Sequence, residues 1–238
     1  MKVSVVIPAY NEEKWIGRTL EVLSLQDYKD LEIIVVDNNS TDGTSKVVAS
    51  FPNVKLILEE RRGVQYARES GRLASSGDIV ANLDADCMPP KDWVKSVVKY
   101  FADPKVVAVS GPYDYYDASL FLRGMSALFQ NFFYIILHFV VSDIFHKGGI
   151  MIGGNVFIRA DALEKIGGYN TSIVFYGDDT DTGNRLRSLG RVLYKRDICV
   201  ESSIRRFDRL GMFHVFYKYC INFVWVSLFN RPYHAYHE

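Results

Sequence analysis

Apolar residues arrive in short β-branched runs along the first half of the chain: VSVVI, LEIIVV, VKLIL, DIVANL and VVAVS. Between them lie EEKWIGRTLEVLSLQ, TDGTSKVVASF, GVQYARESGRLASS and KDWVKSVVKYF, in which apolar residues recur three and four apart, the spacing of one helix face. The alternation predicts repeated βα units. Strands this short and continuously apolar suit a mostly parallel sheet flanked by helices. In such sheets the binding crevice forms from loops at the carboxyl ends of the strands. Four polar segments fall there: PAYNEE, DNNSTDGT, EERRG and DADC.

Two later stretches break this rhythm. SLFLRGMSALFQNFFYIILHFVVSDIFHKGG and MFHVFYKYCINFVWVSLFNRPY are aromatic-rich and sparsely polar, and neither reads as an uninterrupted spanning segment. Over Leu120 to Phe145 and Met212 to Phe229 they predict amphipathic interfacial helices, with aromatic residues at headgroup depth and basic residues nearby. Packing across the sheet or between protomers is the alternative. His138, His146 and His214 show no ligand spacing and belong to these faces.

With 238 residues and no linker-like stretch, the chain is expected to form one domain. Its 28 lysines and arginines balance 28 aspartates and glutamates, which gives no reason to expect a nucleic-acid partner. Three separated cysteines, Cys87, Cys199 and Cys220, make neither a zinc ribbon nor a disulfide framework and fit a reducing, cytoplasmic setting. The apolar run at the N-terminus is too short for a signal-peptide core.

The chemistry concentrates where apolar strands meet carboxylates. DIVANL runs straight into Asp84, Ala85 and Asp86, and two carboxylates so close repel each other unless a cation sits between them. Hard oxygen ligands of this kind suit Mg²⁺ or Mn²⁺, whereas solvated loop aspartates at a helix entrance are the plainer reading. Asp37 ends LEIIVV, where its carboxylate can accept from a base or ribose. Pro8 stiffens the exit of the first strand, and Glu12 and Glu13 favour a helix N-terminus. Further on, Asp178, Asp179 and Asp181 crowd a predicted helix start, which tolerates acid but does not require three of them. Gly153 and Gly154 allow close backbone approach to a ligand, or simply a tight turn.

Taken in order, IPAYNEE, VVDNNSTDGT, GVQYARESGRLASSGDIVANLDADC, GGNVFIRADALEKIGGYN and YGDDTDTGNRLRSLG resemble family 2 glycosyltransferases of the GT-A fold, over about Val3 to Gly190. Polyprenyl-phosphate mannose synthases and minimal cellulose-synthase-like enzymes are the members most alike. The resemblance implies a Rossmann-like, mostly parallel α/β sheet in one GT-A catalytic domain. Residues 1–112 would form its nucleotide-binding half, 113–204 its acceptor half and 205–238 a C-terminal interfacial region. It implies that Pro8, Ala9, Tyr10 and Glu12 line a nucleotide pocket with Asp37, Arg68, Asp84 and Ala85, and that Asp84 and Asp86 hold the metal. Asp179 would be the catalytic base, aligned with the second acid of the family's Glu-Asp pair, while Asp178 replaces the first. Gly154, Asn155, Asp178, Arg205, Arg206 and Phe207 would face the acceptor or phosphate. SSIRRF stands where cellulose-synthase-like relatives carry Gln-x-x-Arg-Trp; Ser203 replaces the glutamine, which argues against processive synthesis.

The activity so implied is metal-dependent, inverting transfer of a sugar, mannose from GDP-mannose being preferred, to a lipid-linked or polyprenyl-phosphate acceptor. The expected location is the cytoplasmic face of a membrane, either peripheral or as part of a longer membrane protein. A UDP-sugar-dependent transferase acting on a glycan is the alternative. A nucleotidyltransferase or a non-catalytic nucleotide-sugar-binding module is a remote one.

Overall fold

The computed structural model describes residues 1–144, 151–173, 177–211, 217–218, 221–222 and 225–226. The five predicted strands form: β1 (Val3–Ala9), β2 (Leu31–Asp37), β3 (Val54–Leu58), β4 (Ile79–Leu83) and β5 (Val106–Ser110). They join β7 (Asn155–Arg159) and β8 (Arg191–Tyr194) in one seven-stranded sheet of order β3-β2-β1-β4-β7-β5-β8. Only β7 runs antiparallel to its neighbours among these pairings. The expected mostly parallel α/β sheet is therefore present, with one reversed strand inside it.

Strand side chains alternate between two cores, as a two-residue period requires. Val3, Val5 and Ile7 pack with Ile16, Leu20 and Trp93 on one face. Val6, Ile34 and Val80 pack with Ala67, Leu163 and Leu186 on the other. Helices thus cover both faces: Ile16–Ser24, Thr44–Ala49 and Trp93–Val98 on the first, Val64–Ala74, Ala160–Lys165 and Asp178–Arg187 on the second. A small parallel ribbon of β6 (Tyr113–Tyr115) and β9 (Val200–Ser202) stands beside the carboxyl end of β4. Met88 and Glu201 exchange backbone hydrogen bonds of 2.8 and 3.2 Å, which ties the loop after β4 to β9.

The first aromatic stretch forms a helix over Leu120–His138 with a π-helical turn at Phe129–Phe133. Contrary to the expectation from sequence, this helix is long and apolar enough to cross a membrane by length and composition. Its packing is inverted. Gln130 is the buried residue: its amide pairs with both the N–H and the carbonyl of Tyr113, at 2.8 and 2.9 Å. Leu120, Phe121, Leu128, Phe132 and Phe133 point outward and are exposed. Packing across the sheet does not account for them. His138 lies 6.5 Å from the Tyr194 ring, whereas His146, His214 and most of Met212 to Phe229 fall outside the described residues. Within that second stretch Asn222 and Val226 are buried, and Val226 sits against Gly177, so packing replaces the interfacial expectation at these two positions.

Candidate active site

The polar segments meet at the carboxyl ends of β1, β2 and β4, where strand order turns from β1 outward in both directions. Asp84 leaves β4 with its side chain partly exposed, and Asp86 is more deeply enclosed. A turn in which the Cys87 N–H donates to the Asp84 carbonyl at 3.1 Å holds the two together. Cys87 itself is fully buried, and burial pushes its thiol well above its ordinary range, in keeping with a packing role.

Arg68 is the hub of the second-face helices. Only 6% of its side chain is exposed, and its Nη1 donates to Asp178 Oδ2 at 2.8 Å and to Asp179 Oδ1 at 3.2 Å. Its Nη2 reaches to 4.0 Å from Asp84 Oδ1. One guanidinium thus joins the carboxylate expected at the donor to the carboxylate expected as base, although 95 residues of sequence separate Asp84 from Asp179. The backbone N–H of Gly153 donates to Asp179 Oδ2 at 2.9 Å. Burial, and next the neighbouring Asp178 charge, raise the Asp179 carboxyl to about 7. Asp181 departs from this cluster, being paired with Arg185 at 2.8 Å one helical turn on.

A second arginine joins the other acids. Arg205, just beyond β9, donates from Nε to Asp86 Oδ2 at 2.8 Å and from Nη2 to Glu12 Oε1 at 2.6 Å, and its guanidinium lies over the Trp15 ring. Burial raises the carboxyl groups of both Glu12 and Asp86, opposed by Arg205. Arg206 is exposed, and its charge also acts on Asp86. Phe207 meets the Tyr115 ring at 5.5 Å.

Several expected contacts take a different form. Asn155 is fully buried: its Oδ1 accepts from Trp93 Nε1 at 3.1 Å, and its Nδ2 donates to the carbonyls of Pro112 and Ile198. Its amide is consumed inside the fold and fastens β7 to the ribbon instead of facing an acceptor. Asp37 is 4% exposed, with its carboxylate accepting from the Ser40 N–H at 2.9 Å and from the Ser45 hydroxyl, so it shapes its own loop. Asp178 is likewise occupied by Arg68 and by Gln65 Nε2. Ala9 and Ala85 turn into the core, where their carbonyls accept from the Asn38 N–H and the Thr19 hydroxyl. Pro8 pairs in register with Val36, and Tyr10 is exposed beneath the Arg62 guanidinium at 3.9 Å. Arg61 forks onto Glu59 and, before other causes, holds its carboxyl down at about 2.

Gly154 brings the backbone against Asp84: a Cβ there would lie 2.2 Å from both Asp84 Oδ2 and the Tyr113 hydroxyl. That hydroxyl donates to Asp84 Oδ2 at 3.0 Å. Tyr113, Gln65 and Trp15 are the site residues missed in the sequence. Gln65 and Trp15 sit inside the quoted motifs, next to acids and an arginine, while Tyr113 carries no spacing signal at all.

The donor set fits a divalent cation. Asp84, Asp86 and Glu12 present hard carboxylate oxygens, and the buried Glu12 Oε2 has no hydrogen-bond partner among the described residues. Five carboxylates, Glu12, Asp84, Asp86, Asp178 and Asp179, face the two guanidiniums of Arg68 and Arg205. Among the described residues no three of His, Cys, Asp and Glu are grouped as a ready metal cage. A Mg²⁺-like ion would take its remaining ligands from water and substrate phosphates, as such ions commonly do.

The sequence profile of the family described as Glycosyl transferase family 2 matches residues 4–167. Glycosyltransferase AglE of Haloferax volcanii is 31% identical over 183 residues, 74% of this chain and 58% of that protein. Glucosyl-dolichyl phosphate glucuronosyltransferase of the same organism is 28% identical, over 75% of this chain and 59% of that protein. Among solved structures, the mannosyltransferase PcManGT from Pyrobaculum calidifontis, in complex with GDP-Man and Mn²⁺, superposes with a TM-score of 0.73 and 27% identity. That match covers 96% of this chain and 63% of the other. The chain thus spans about three-fifths of the length of these relatives.

Proposed function

The chain belongs to glycosyl transferase family 2, and from that premise we propose that it is a metal-dependent, inverting mannosyltransferase. Its donor is GDP-mannose and its acceptor a lipid-linked or polyprenyl phosphate at the cytoplasmic face of a membrane. The observation that carries this reading is the Arg68 bridge, which sets Asp179 and Asp84 on one buried guanidinium. The donor is supported by the likeness to PcManGT with its GDP-Man and Mn²⁺. The acceptor is supported by the relative named for a dolichyl phosphate and by the outward apolar face of Leu120–His138.

Inversion requires the acceptor oxygen to attack the anomeric carbon from the side opposite the diphosphate while a base takes its proton. Asp179 performs that step in this reading. Its carboxyl, raised to about 7, loses a proton near neutrality and is matched to accepting one from a hydroxyl. Gly153 and Arg68 fix its orientation. With a phosphate acceptor, already anionic, Asp179 instead orients the attacking oxygen. When bound, Mg²⁺ or Mn²⁺ on Asp84 and Asp86 supplies Lewis-acid stabilisation of the charge that gathers on the leaving diphosphate. In this reading Tyr10 faces the nucleobase, and a guanidinium such as that of Arg206 suits phosphate oxygens.

A panel of nucleotide-sugars, assayed with Mn²⁺ and with or without polyprenyl phosphate, tests the reading through release of nucleoside diphosphate. GDP should be released from GDP-mannose, faster when the lipid phosphate is added. UDP release from UDP-glucose or UDP-N-acetylglucosamine, with GDP-mannose inert, would overturn the donor assignment.

A further inference from the structure

Arg205 does something different from Arg68. Its guanidinium does not fork onto one carboxylate but spans two, Glu12 from the loop after β1 and Asp86 from the loop after β4. The acids are enclosed, with 15% and 10% of their side chains exposed, whereas Arg205 keeps 37% and so has a path outward. Its anchoring is a short turn after β9, where Asp117 accepts from the Ile204 N–H at 2.7 Å and from the Ser203 hydroxyl. The hydrogen bonds of that turn are made by Ser203 and by the backbone N–H groups of Ile204 and Arg205, not by the guanidinium. The neutralisation it provides is incomplete, because Glu12 Oε2 stays buried and unpartnered among the described residues.

We infer that Arg205 is a resident counter-ion of the cation site: it holds Glu12 and Asp86 while the donor is absent and moves onto the donor diphosphate when nucleotide and cation enter together. The inference rests on the donor and cation reading given above. A divalent ion arriving alone meets a guanidinium 2.8 Å from the very oxygen it needs, and the like charges oppose each other. A diphosphate changes the balance, since its oxygens receive a guanidinium in fork geometry at least as well as the two carboxylates do. Cation and nucleotide binding are then positively coupled, and the coupling is reciprocal. Arg68, locked on Asp178 and almost wholly buried, has no such freedom.

The test is Mn²⁺ titration of the whole chain by electron paramagnetic resonance, with and without GDP, for wild type, Arg205→Met and Arg205→Lys. Methionine keeps an apolar stem over Trp15 and removes the charge. Loss of one charged hydrogen-bonded competitor should tighten Mn²⁺ binding without GDP by about tenfold or more, and GDP should add far less to the variant than to wild type. Lysine, which keeps the charge, should bind bare Mn²⁺ as weakly as wild type does. Trp15 gives a second readout that needs no variant at Arg205: its emission should change when Mn²⁺ and GDP are added together, and Trp15→Phe should remove that change. If Arg205→Met melts like wild type yet binds bare Mn²⁺ no more tightly, the inference fails while the cation reading stands. If Arg205→Met does not fold, an unaltered Trp15 emission in wild type with Mn²⁺ and GDP bound overturns it. Absence of any Mn²⁺ binding in wild type with GDP present overturns both.

Discussion

Adding a single methyl group at Gly153 separates the chemical step from donor binding. Neither Gly153 nor Gly154 has a positive φ, so alanine at either position carries no backbone strain and acts through its Cβ alone. At Gly153 that Cβ would lie 2.1 Å from Asp179 Oδ1 and 2.6 Å from Arg68 Nη2, where ordinary contact begins at 3.4 Å. The gap to Asp179 must therefore open by about 1.3 Å, the difference between 3.4 and 2.1 Å. Arg68 is pinned by Asp178 at 2.8 Å in a buried setting, so Asp179 is the group that yields. A displacement on the order of 1 Å in a positioned catalytic group costs roughly 100-fold in rate. Overpacking adds a destabilisation of about 1–3 kcal/mol, which for a chain of this size lowers the melting temperature by roughly 2–12 °C.

Steady-state kinetics with donor varied, donor titration by calorimetry and thermal melting together read out this effect. For Gly153→Ala the expected pattern is kcat reduced by about 100-fold with donor affinity nearly unchanged. Gly154→Ala is the contrast, because its Cβ would fall 2.1 Å from Asp84 Cγ and 2.2 Å from the Tyr113 hydroxyl. There donor and Mn²⁺ affinity should fall first. Wild-type turnover in Gly153→Ala, or loss of donor affinity as large as in Gly154→Ala, would refute the division of labour drawn from these distances.

Asp179→Asn should bind donor and Mn²⁺ normally but transfer to a hydroxyl acceptor at least ~100-fold more slowly, the low end for loss of a general base; near-normal transfer rules out that role. The Asp179 carboxyl is raised to about 7, first by burial and then by Asp178, so kcat/KM should climb as pH rises through about 7. Asp178→Asn should move that limb to lower pH; a limb that stays put shows that another group titrates. The same raised carboxyl binds its proton more tightly in the folded chain, so its contribution to stability is present below its ordinary value of 3.8 and is lost as pH rises through about 7. Urea midpoints for wild type should therefore decline over this window relative to Asp179→Asn. Phe132, Phe133 and Phe139 are 55, 55 and 56% exposed; their joint replacement by serine should release the protein from anionic liposomes in a cosedimentation assay while leaving its melting temperature close to wild type.

The sheet was legible because its signal is local. Five short β-branched runs and the three-and-four spacing between them depend only on neighbours in sequence, and each run became a strand. The placement of β7 between β4 and β5 was not legible, since reversal is a property of pairing between Asn155–Arg159 and strands more than 40 residues away. Asp84, Asp86, Asp178 and Asp179 could be found as acids at strand and helix ends. The fate of Asn155 could not, because an amide in a glycine-rich segment reads the same whether it meets a ligand or two buried carbonyls. The loop bonds of Asp37 were not legible for a related reason: a carboxylate at a strand end has the same sequence context whether it faces solvent or bends back onto Ser40 and Ser45. In the aromatic helix the apolar character was visible, but the inward face is set by Gln130 pairing with the Tyr113 backbone, a contact across 17 residues.

Charge accounting shows why two arginines, and not one, belong to this constellation. Asp178 and Asp179 are adjacent in sequence and begin a helix, where the dipole tolerates them, but together with Asp84 they bring three carboxylates around the Arg68 guanidinium. A buried guanidinium there must stay in place, because removing it would leave enclosed acids unpaired at a cost of several kcal/mol. Glu12 and Asp86 form the other anionic group, with 15% and 10% of their side chains exposed. A permanently buried partner there would exclude a metal, and no partner at all would leave the donor-free protein with uncompensated acids. A half-exposed arginine on a flexible stem meets both conditions, and the exposures of 6% for Arg68 and 37% for Arg205 separate the fixed cation from the exchangeable one.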